Sequence, residues 1–314
     1  MSNSMTLTET VAIPVASLRD GDALEFSIYT EIGGRPMIYR KCGQSFGEKQ
    51  RRQLTAMGVR DVLVPRHRLG AILGYMQDGL AALVSDPTLD GEQKLGSAYE
   101  SGVSITEQAL LDPGSRESIE SVRSFVSVTK TLLEEYTFTM SGVRQTLSDA
   151  PQLAGHSVNT CLYGFVLGRA VGYDRLDDLG LALLLHDVGK LAIDPSVLDK
   201  ANPTEEDWAA IHKHPEFGIK RTKATPHLPA IARDVIQNHH ERLDGSGYPR
   251  GLRGSELTVA TRIAGIVNAF DTRTTHRSYR KARPALEVLR EMLITEKGLW
   301  DTEILETFVR LMGT

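Results

Sequence analysis

The sequence predicts a mostly helical chain, with a C-terminal all-helical domain preceded by a small α+β domain. Three observations carry this. From Ser118 onward apolar residues recur at helical spacing between Gly, Pro and Asp breakers. Between residues 11 and 65, short apolar runs alternate with turn residues. The length of 314 residues exceeds what one compact core usually organises.

Val11-Ala-Ile-Pro14, Ala23 to Tyr29 and Met37-Ile-Tyr39 read as strands, with Gly33-Gly34-Arg35-Pro36 as a turn. Glu48 to Met57 reads as a helix closed by Gly58, and Val59 to Pro65 as the last strand. Residues 69 to 84 are helical by period. The breakers Ser85-Asp86-Pro87, Asp90-Gly91 and Asp112-Pro113-Gly114-Ser115 predict a connector carrying a helix. The expected organisation is therefore 1–84, 85–117 and 118–314. In the last of these, Ile119, Val122, Phe125, Val126, Thr129, Leu132 and Leu133 form one apolar helical stripe.

The net charge of −4 argues against a polymeric nucleic acid as partner, because phosphate-backbone binding requires a strongly basic surface. A small phosphate ester needs only a few local cations. No apolar run approaches the roughly 20 residues of a membrane span. Met1 to Thr10 is polar, without the basic start and apolar stretch of a secretory signal. Cys42 and Cys161 lie far apart in sequence with no CxxC pair, which reads as two reduced thiols. These features together predict a cytoplasmic protein.

The chemistry is concentrated between residues 153 and 280. The apolar helix predicted over Leu176 to Val188 ends in Leu181-Ala-Leu-Leu-Leu-His186-Asp187-Val-Gly189-Lys190. A carboxylate in so apolar a run is costly unless it binds a cation or accepts hydrogen bonds. Successive residues on a helix diverge by about 100°, so His186 and Asp187 converge on one ion only where the helix is ending. His156 lies upstream, and His214 opens His214-Pro-Glu-Phe-Gly218. His239 and His240 end the apolar helix Ile231 to Asn238, and Asp271 ends Ile263-Ala-Gly-Ile-Val-Asn-Ala-Phe-Asp271. Five of the nine histidines fall in this set; His67, His212, His227 and His276 do not. Imidazole and carboxylate together suit borderline divalent metals.

His186-Asp187-Val-Gly-Lys190, His214-Pro-x-x-Gly218, His239-His-Glu-x-x-Asp-Gly-Ser-Gly-Tyr-Pro249 and Asp271 resemble the HD-GYP branch of the HD phosphohydrolases. The resemblance covers roughly residues 118 to 314. It implies an all-helical HD-GYP domain and hydrolysis of the bacterial second messenger cyclic di-GMP, to the linear dinucleotide or on to GMP. It further implies metal ligands at His156, His186, Asp187, His214, His239, His240 and Asp271. Asp187 would bridge two ions, most often iron or manganese, and Lys190 matches the family's lysine beside that bridge. In three-metal members a Glu stands one turn before the first histidine. The residue here is Gln152, so two metals are expected rather than three.

On the substrate side, the resemblance assigns Arg277 and Arg280 to the phosphates. Arg suits such forked contacts, and a crowded basic loop is the alternative. Tyr248 reads as a hydrogen-bond donor to a phosphate, as a stacking partner for guanine, or as turn packing. Glu241 and Asp244 read equally as acceptors for ligand imidazoles or as surface carboxylates. Two departures stand out: Asp271-Thr-Arg-Thr274 puts Arg273 where an apolar residue is usual, and Arg277-Ser-Tyr-Arg280 lacks the usual proline. The first of these and Gln152 keep a second reading open, a low-turnover cyclic di-GMP sensor or interaction module; an HD phosphohydrolase for another nucleotide is a third, against which the Gly-Tyr-Pro loop speaks. Residues 1–84, with no ligand cluster, are expected to be a regulatory or dimerising module, whose partner is a second copy or a signalling protein, or else a structural cap.

Overall fold

A computed structural model describes residues 5–136, 138, 140–147, 153–276 and 281–313. The chain divides into two compact units, Met1–Ile105 and Thr106–Thr314, with the division falling inside the helix Gly91–Leu111.

In the first unit, β1 (Thr10–Pro14), β2 (Ile28–Ile32), β3 (Arg35–Arg40) and β4 (Asp61–Pro65) form an antiparallel sheet in the order β1-β4-β2-β3. Val11 faces Val64 and Ile13 faces Val62 across the β1–β4 pair, and all four are buried. The predicted turn is narrower than expected. Gly33 and Gly34 alone take positive φ, 60° and 76°, and Ile32 pairs directly with Arg35. Two such residues give the hairpin twist that matches its strands. Arg35 and Pro36 thus belong to β3, an edge strand, where a missing N–H is tolerated. The strand expected over Ala23 to Tyr29 begins only at Ile28. Leu24 and Phe26 are nonetheless buried, so the alternation marked burial rather than a continuous ladder. Helices Glu48–Ala56, closed by Gly58 at φ 71°, and Leu69–Ser85 follow the expected pattern.

The second unit is helical. Arg116–Glu135 starts at Ser115, whose Oγ accepts the Ser118 N–H at 3.2 Å, and it buries the whole stripe from Ile119 to Leu133. Leu153–Ala170 runs through the centre, packed on Leu176–Leu185 and Val259–Thr274. Tyr163, Phe270 and Phe308 meet edge to face, with centroids 5.0 to 5.9 Å apart, and tie three helices together. Each such pair adds about 1 kcal/mol beyond area burial. That rigidity matters because the helices of Tyr163 and Phe270 also carry His156 and Asp271. Among the described residues no helix is long and apolar enough to cross a membrane.

Candidate metal centre

The helix Leu176–Leu185 stops at His186, earlier than the Val188 expected from the sequence. Asp187 takes φ −99° and ψ 9°, and Val188–Ala192 tightens into a 3-10 turn. This change of winding lets the neighbouring His186 and Asp187 side chains converge instead of diverging. The turn packs on the helix His214–Arg221. A Cβ at Gly189 would lie 1.9 Å from the His214 carbonyl oxygen, so only glycine allows this approach.

Asp187 sits between two sets of imidazoles. Its Oδ2 lies 3.4 Å from His186 Nε2 and 3.5 Å from His156 Nε2. Its Oδ1 lies 3.4 Å from His214 Nε2 and 3.5 Å from His239 Nε2. Two groups able to hold a cation result: His156, His186 and Asp187, and Asp187, His214, His239 and His240. One carboxylate is common to both.

The imidazoles are arranged as ligands. His186 Nδ1 donates to the Leu183 carbonyl at 2.6 Å, His214 Nδ1 to Ile211 at 2.7 Å and His239 Nδ1 to Val235 at 2.9 Å. Each bond fixes the proton on Nδ1 and leaves an Nε2 lone pair facing Asp187. Burial pushes His214 and His240 well below their ordinary pKa, lowers His156, and brings His239 down to about 4. All four are therefore neutral at pH 7, the form that ligates metals. Burial alone would raise the Asp187 carboxyl. The Lys190 ammonium, with its Nζ 2.5 Å from Oδ2, is the strongest opposing influence and holds Asp187 ionised. His186 Nε2, Asp187 Oδ1 and His240 Nε2 are buried without a hydrogen-bond partner. Buried polar atoms without partners in the two groups that share Asp187 are costly unless a cation joins them, so the donor set fits divalent metals.

Asp271 is placed differently from a simple ligand. Its Oδ2 lies 2.6 Å from His156 Nδ1, and its Oδ1 accepts from Asn159 Nδ2 at 3.0 Å and Thr275 Oγ1 at 3.2 Å. Asn268 Oδ1 lies 3.0 Å from His156 Nε2. Asn159, Asn268 and Thr275 had no sequence expectation attached. The first two are polar residues on otherwise buried helix faces, which was the available clue.

Around the His239–Pro249 string, Glu241 and Asp244 do not touch imidazoles. Glu241, buried, accepts the backbone N–H of Arg250 at 2.6 Å and of Leu252 at 3.0 Å. Asp244 accepts from the Ser246 N–H at 2.9 Å and its hydroxyl at 2.7 Å. Both fold the loop. Gly247 serves the same end, since a Cβ there would lie 2.4 Å from Glu241 Cα. The close approach is to protein backbone, not to a ligand. Tyr248 is stacked on His240, with centroids 4.6 Å apart, and on its other face against His212 at 4.0 Å. His212, outside the expected set, is thus part of the site's wall. Arg273 is answered by Glu296 at 2.8 Å and Glu291 at 3.7 Å, so this departure is an ion pair and not a gap in the site. Gln152, Arg277 and Arg280 lie outside the described residues.

A family model for the HD domain matches residues 124–303. The chain belongs to the HD domain family, and within it to the HD-GYP type. A cyclic di-GMP phosphodiesterase of Pseudomonas aeruginosa is 32% identical over 161 residues, which are 50% of this chain and 39% of that protein. The 3′3′-cGAMP-specific phosphodiesterase 3 of Vibrio cholerae is 36% identical over 152 residues, 46% of this chain and 33% of the relative. A cyclic di-GMP phosphodiesterase of Thermotoga maritima is 28% identical over 185 residues, 57% and 50% of the two chains. The chain spans half or less of the length of these relatives. Bd1817, an HDG"Y"P protein from Bdellovibrio bacteriovorus, matches 97% of this chain and 100% of its own with a TM-score of 0.73 at 20% identity, a likeness of fold.

Proposed function

We propose that this chain is a metal-dependent phosphodiesterase that opens cyclic di-GMP to the linear dinucleotide. The observation that carries the reading is Asp187, ionised and shared between two sets of buried imidazoles. Two divalent ions held there would supply a hydroxide at neutral pH and stabilise the charge building on the phosphoryl oxygens. His156 and His186 would hold one, and His214, His239 and His240 the other, with Asp187 between and Asp271 adjoining. Iron or manganese suits this mixed donor set, and Gln152 in place of a carboxylate argues for two ions over three. Lys190, its side chain 22% exposed, both secures Asp187 and offers positive charge toward the open side, where a phosphate would lie. Burial raises the pKa of the Tyr248 hydroxyl, so it stays protonated and can donate to a phosphate or sugar oxygen. Arg277 and Arg280 are proposed as phosphate contacts.

The relatives' names include both cyclic di-GMP and 3′3′-cGAMP phosphodiesterases, which supports the cyclic dinucleotide class and leaves the base to experiment. The test is turnover of cyclic di-GMP, 3′3′-cGAMP and a linear nucleotide panel by protein loaded with iron or manganese. Fast cleavage of cyclic di-GMP is expected, and preference for a non-cyclic nucleotide would refute the reading. One observation favours a second reading, a cyclic di-GMP sensor of low turnover: both Asp271 oxygens are already engaged by protein groups. Tight binding without cleavage in the same assay would select it.

Both candidate clusters belong to the helical unit. Residues 1–84 are proposed as a regulatory or dimerising module, joined through 85–117, with a second copy or a signalling protein as partner. Exposed Ile32, Met37 and Ile38 on the β2–β3 hairpin support a contact role. Removing residues 1–117 should change rate or oligomeric mass; no change would favour a structural cap. The proposed setting is the cytoplasm, in keeping with two free thiols, Cys42 and Cys161.

A further inference from the structure

A run of four rings leads outward from the candidate centre. His240 and Tyr248 are stacked at 4.6 Å and 14°, Tyr248 and His212 at 4.0 Å and 25°, and His212 meets Trp208 at 5.8 Å and 44°. Exposure rises along it. His240 and Tyr248 are partly buried, His212 is exposed, and Trp208 is 48% exposed. Trp208 and His212 are four residues apart on the helix Glu205–Ile211 and its C-cap, so they share a face. The helix start is pinned next to Trp208. Asp207 accepts the Thr204 N–H at 2.6 Å, and its own N–H reaches Thr204 Oγ1 at 3.2 Å.

We propose that Trp208, backed by His212, is the stacking surface for a purine base of the substrate. This rests on the cyclic dinucleotide reading and names where one base goes. Both faces of the Tyr248 ring are taken, one by His240 and one by His212. A base therefore finds no free face on Tyr248, and the stack continues only at its outer end. Trp208 offers there the largest aromatic face of the run, half in solvent and fixed by its cap. A nucleotide whose phosphate sits near Lys190 would lay a base outward along this wall. Stacking tolerates any base but favours the larger ring system, so purines gain more than pyrimidines.

The test is kinetic, on the full metal-loaded chain, with cyclic di-GMP and cyclic di-UMP as probes. Trp208→Ala should raise KM for cyclic di-GMP by about tenfold, leaving kcat within about twofold. The same change should move KM for cyclic di-UMP less, and Trp208→Phe should recover most of the loss. Binding is also visible directly. The chain has two tryptophans, and Trp300 is 5% exposed beneath the Arg242 guanidinium, so Trp208 is the one a ligand can quench. Cyclic di-GMP should quench wild-type emission and leave Trp208→Phe unquenched. If wild type binds without turnover, the tenfold comparison is read on Kd by titration calorimetry. Cleavage or binding of cyclic di-GMP by wild type with KM or Kd unchanged in Trp208→Ala overturns the stacking proposal alone. A wild-type chain that neither binds nor cleaves cyclic dinucleotides overturns the proposed function and this inference with it.

Discussion

Asp271 Oδ2 lies 2.6 Å from Nδ1 of His156, whose Nε2 faces Asp187 Oδ2 at 3.5 Å. A carboxylate behind an imidazole fixes the ring's tautomer and raises its basicity, and losing such a partner typically costs about 10- to 100-fold in metal affinity. Asp271→Asn keeps the shape and removes the charge. It is expected to weaken the ion at His156 and His186 by about that factor while the ion at His214, His239 and His240 stays. Metal titration of the variant checks this; loss of both ions together would contradict it.

The metal-free protein should be sensitive to mild acid. Burial keeps His156, His214, His239 and His240 neutral in the folded chain at pH values where the unfolded chain is protonated. The unfolded state therefore takes up protons first. The stability these rings contribute is complete above about pH 6.5 and drains as pH falls, for His239 down to about 4. Each ring costs up to about 1.4 kcal/mol per pH unit within its window. Asp187, held well below the usual carboxylate range, adds its loss only below about pH 4. Calorimetric scans of metal-free protein should show Tm falling steadily from pH 7 to 4.5, and a flat Tm would count against buried neutral rings.

Two glycine substitutions should differ in sign. A Cβ at Gly189 would overlap the His214 carbonyl, which is backbone and cannot step aside. Gly189→Ala should cost at least about 3 kcal/mol and lower metal affinity, since it separates Asp187 from His214. Gly74 lies within the helix Leu69–Ser85 with nothing within 4 Å of an added Cβ. Gly74→Ala should stabilise by roughly 0.5 to 1 kcal/mol. Denaturant melts of both variants decide it.

Glu241 is the buried acceptor that closes the loop over the centre. Glu241→Ala leaves the Arg250 and Leu252 N–H groups unpaired, at about 1 to 3 kcal/mol each if they stay buried. The loop carries Tyr248, so KM for cyclic di-GMP should rise with the loss of stability. A stable variant with unchanged KM would show that the loop holds itself.

Much of the site was legible because its chemistry requires rare residues at fixed separations. The structure brings His186 and Asp187 together with His156 in one group, and Asp187, His214, His239 and His240 in another. What escaped was set by tertiary contact. The helix ends at Leu185 and not Val188 because the packing of Gly189 on His214 demands a tighter turn. Glu241 serves backbone amides nine and eleven residues away, which no local pattern announces. His212 belongs to the wall through stacking on Tyr248, a contact across 36 residues of sequence. In the sheet, Leu24 and Phe26 alternate like a strand because both point into the core, yet their backbone is not in the ladder.

The central claim is that Asp187 is the carboxylate shared by two metal ions. Elemental analysis of anaerobically purified protein loaded with iron or manganese, beside Asp187→Asn, tests it most directly. The account predicts two ions per wild-type chain and fewer than one in the variant, with hydrolysis of cyclic di-GMP lost in step. Three tightly held ions in wild type, or an Asp187→Asn protein that keeps its metal and its turnover, would contradict it.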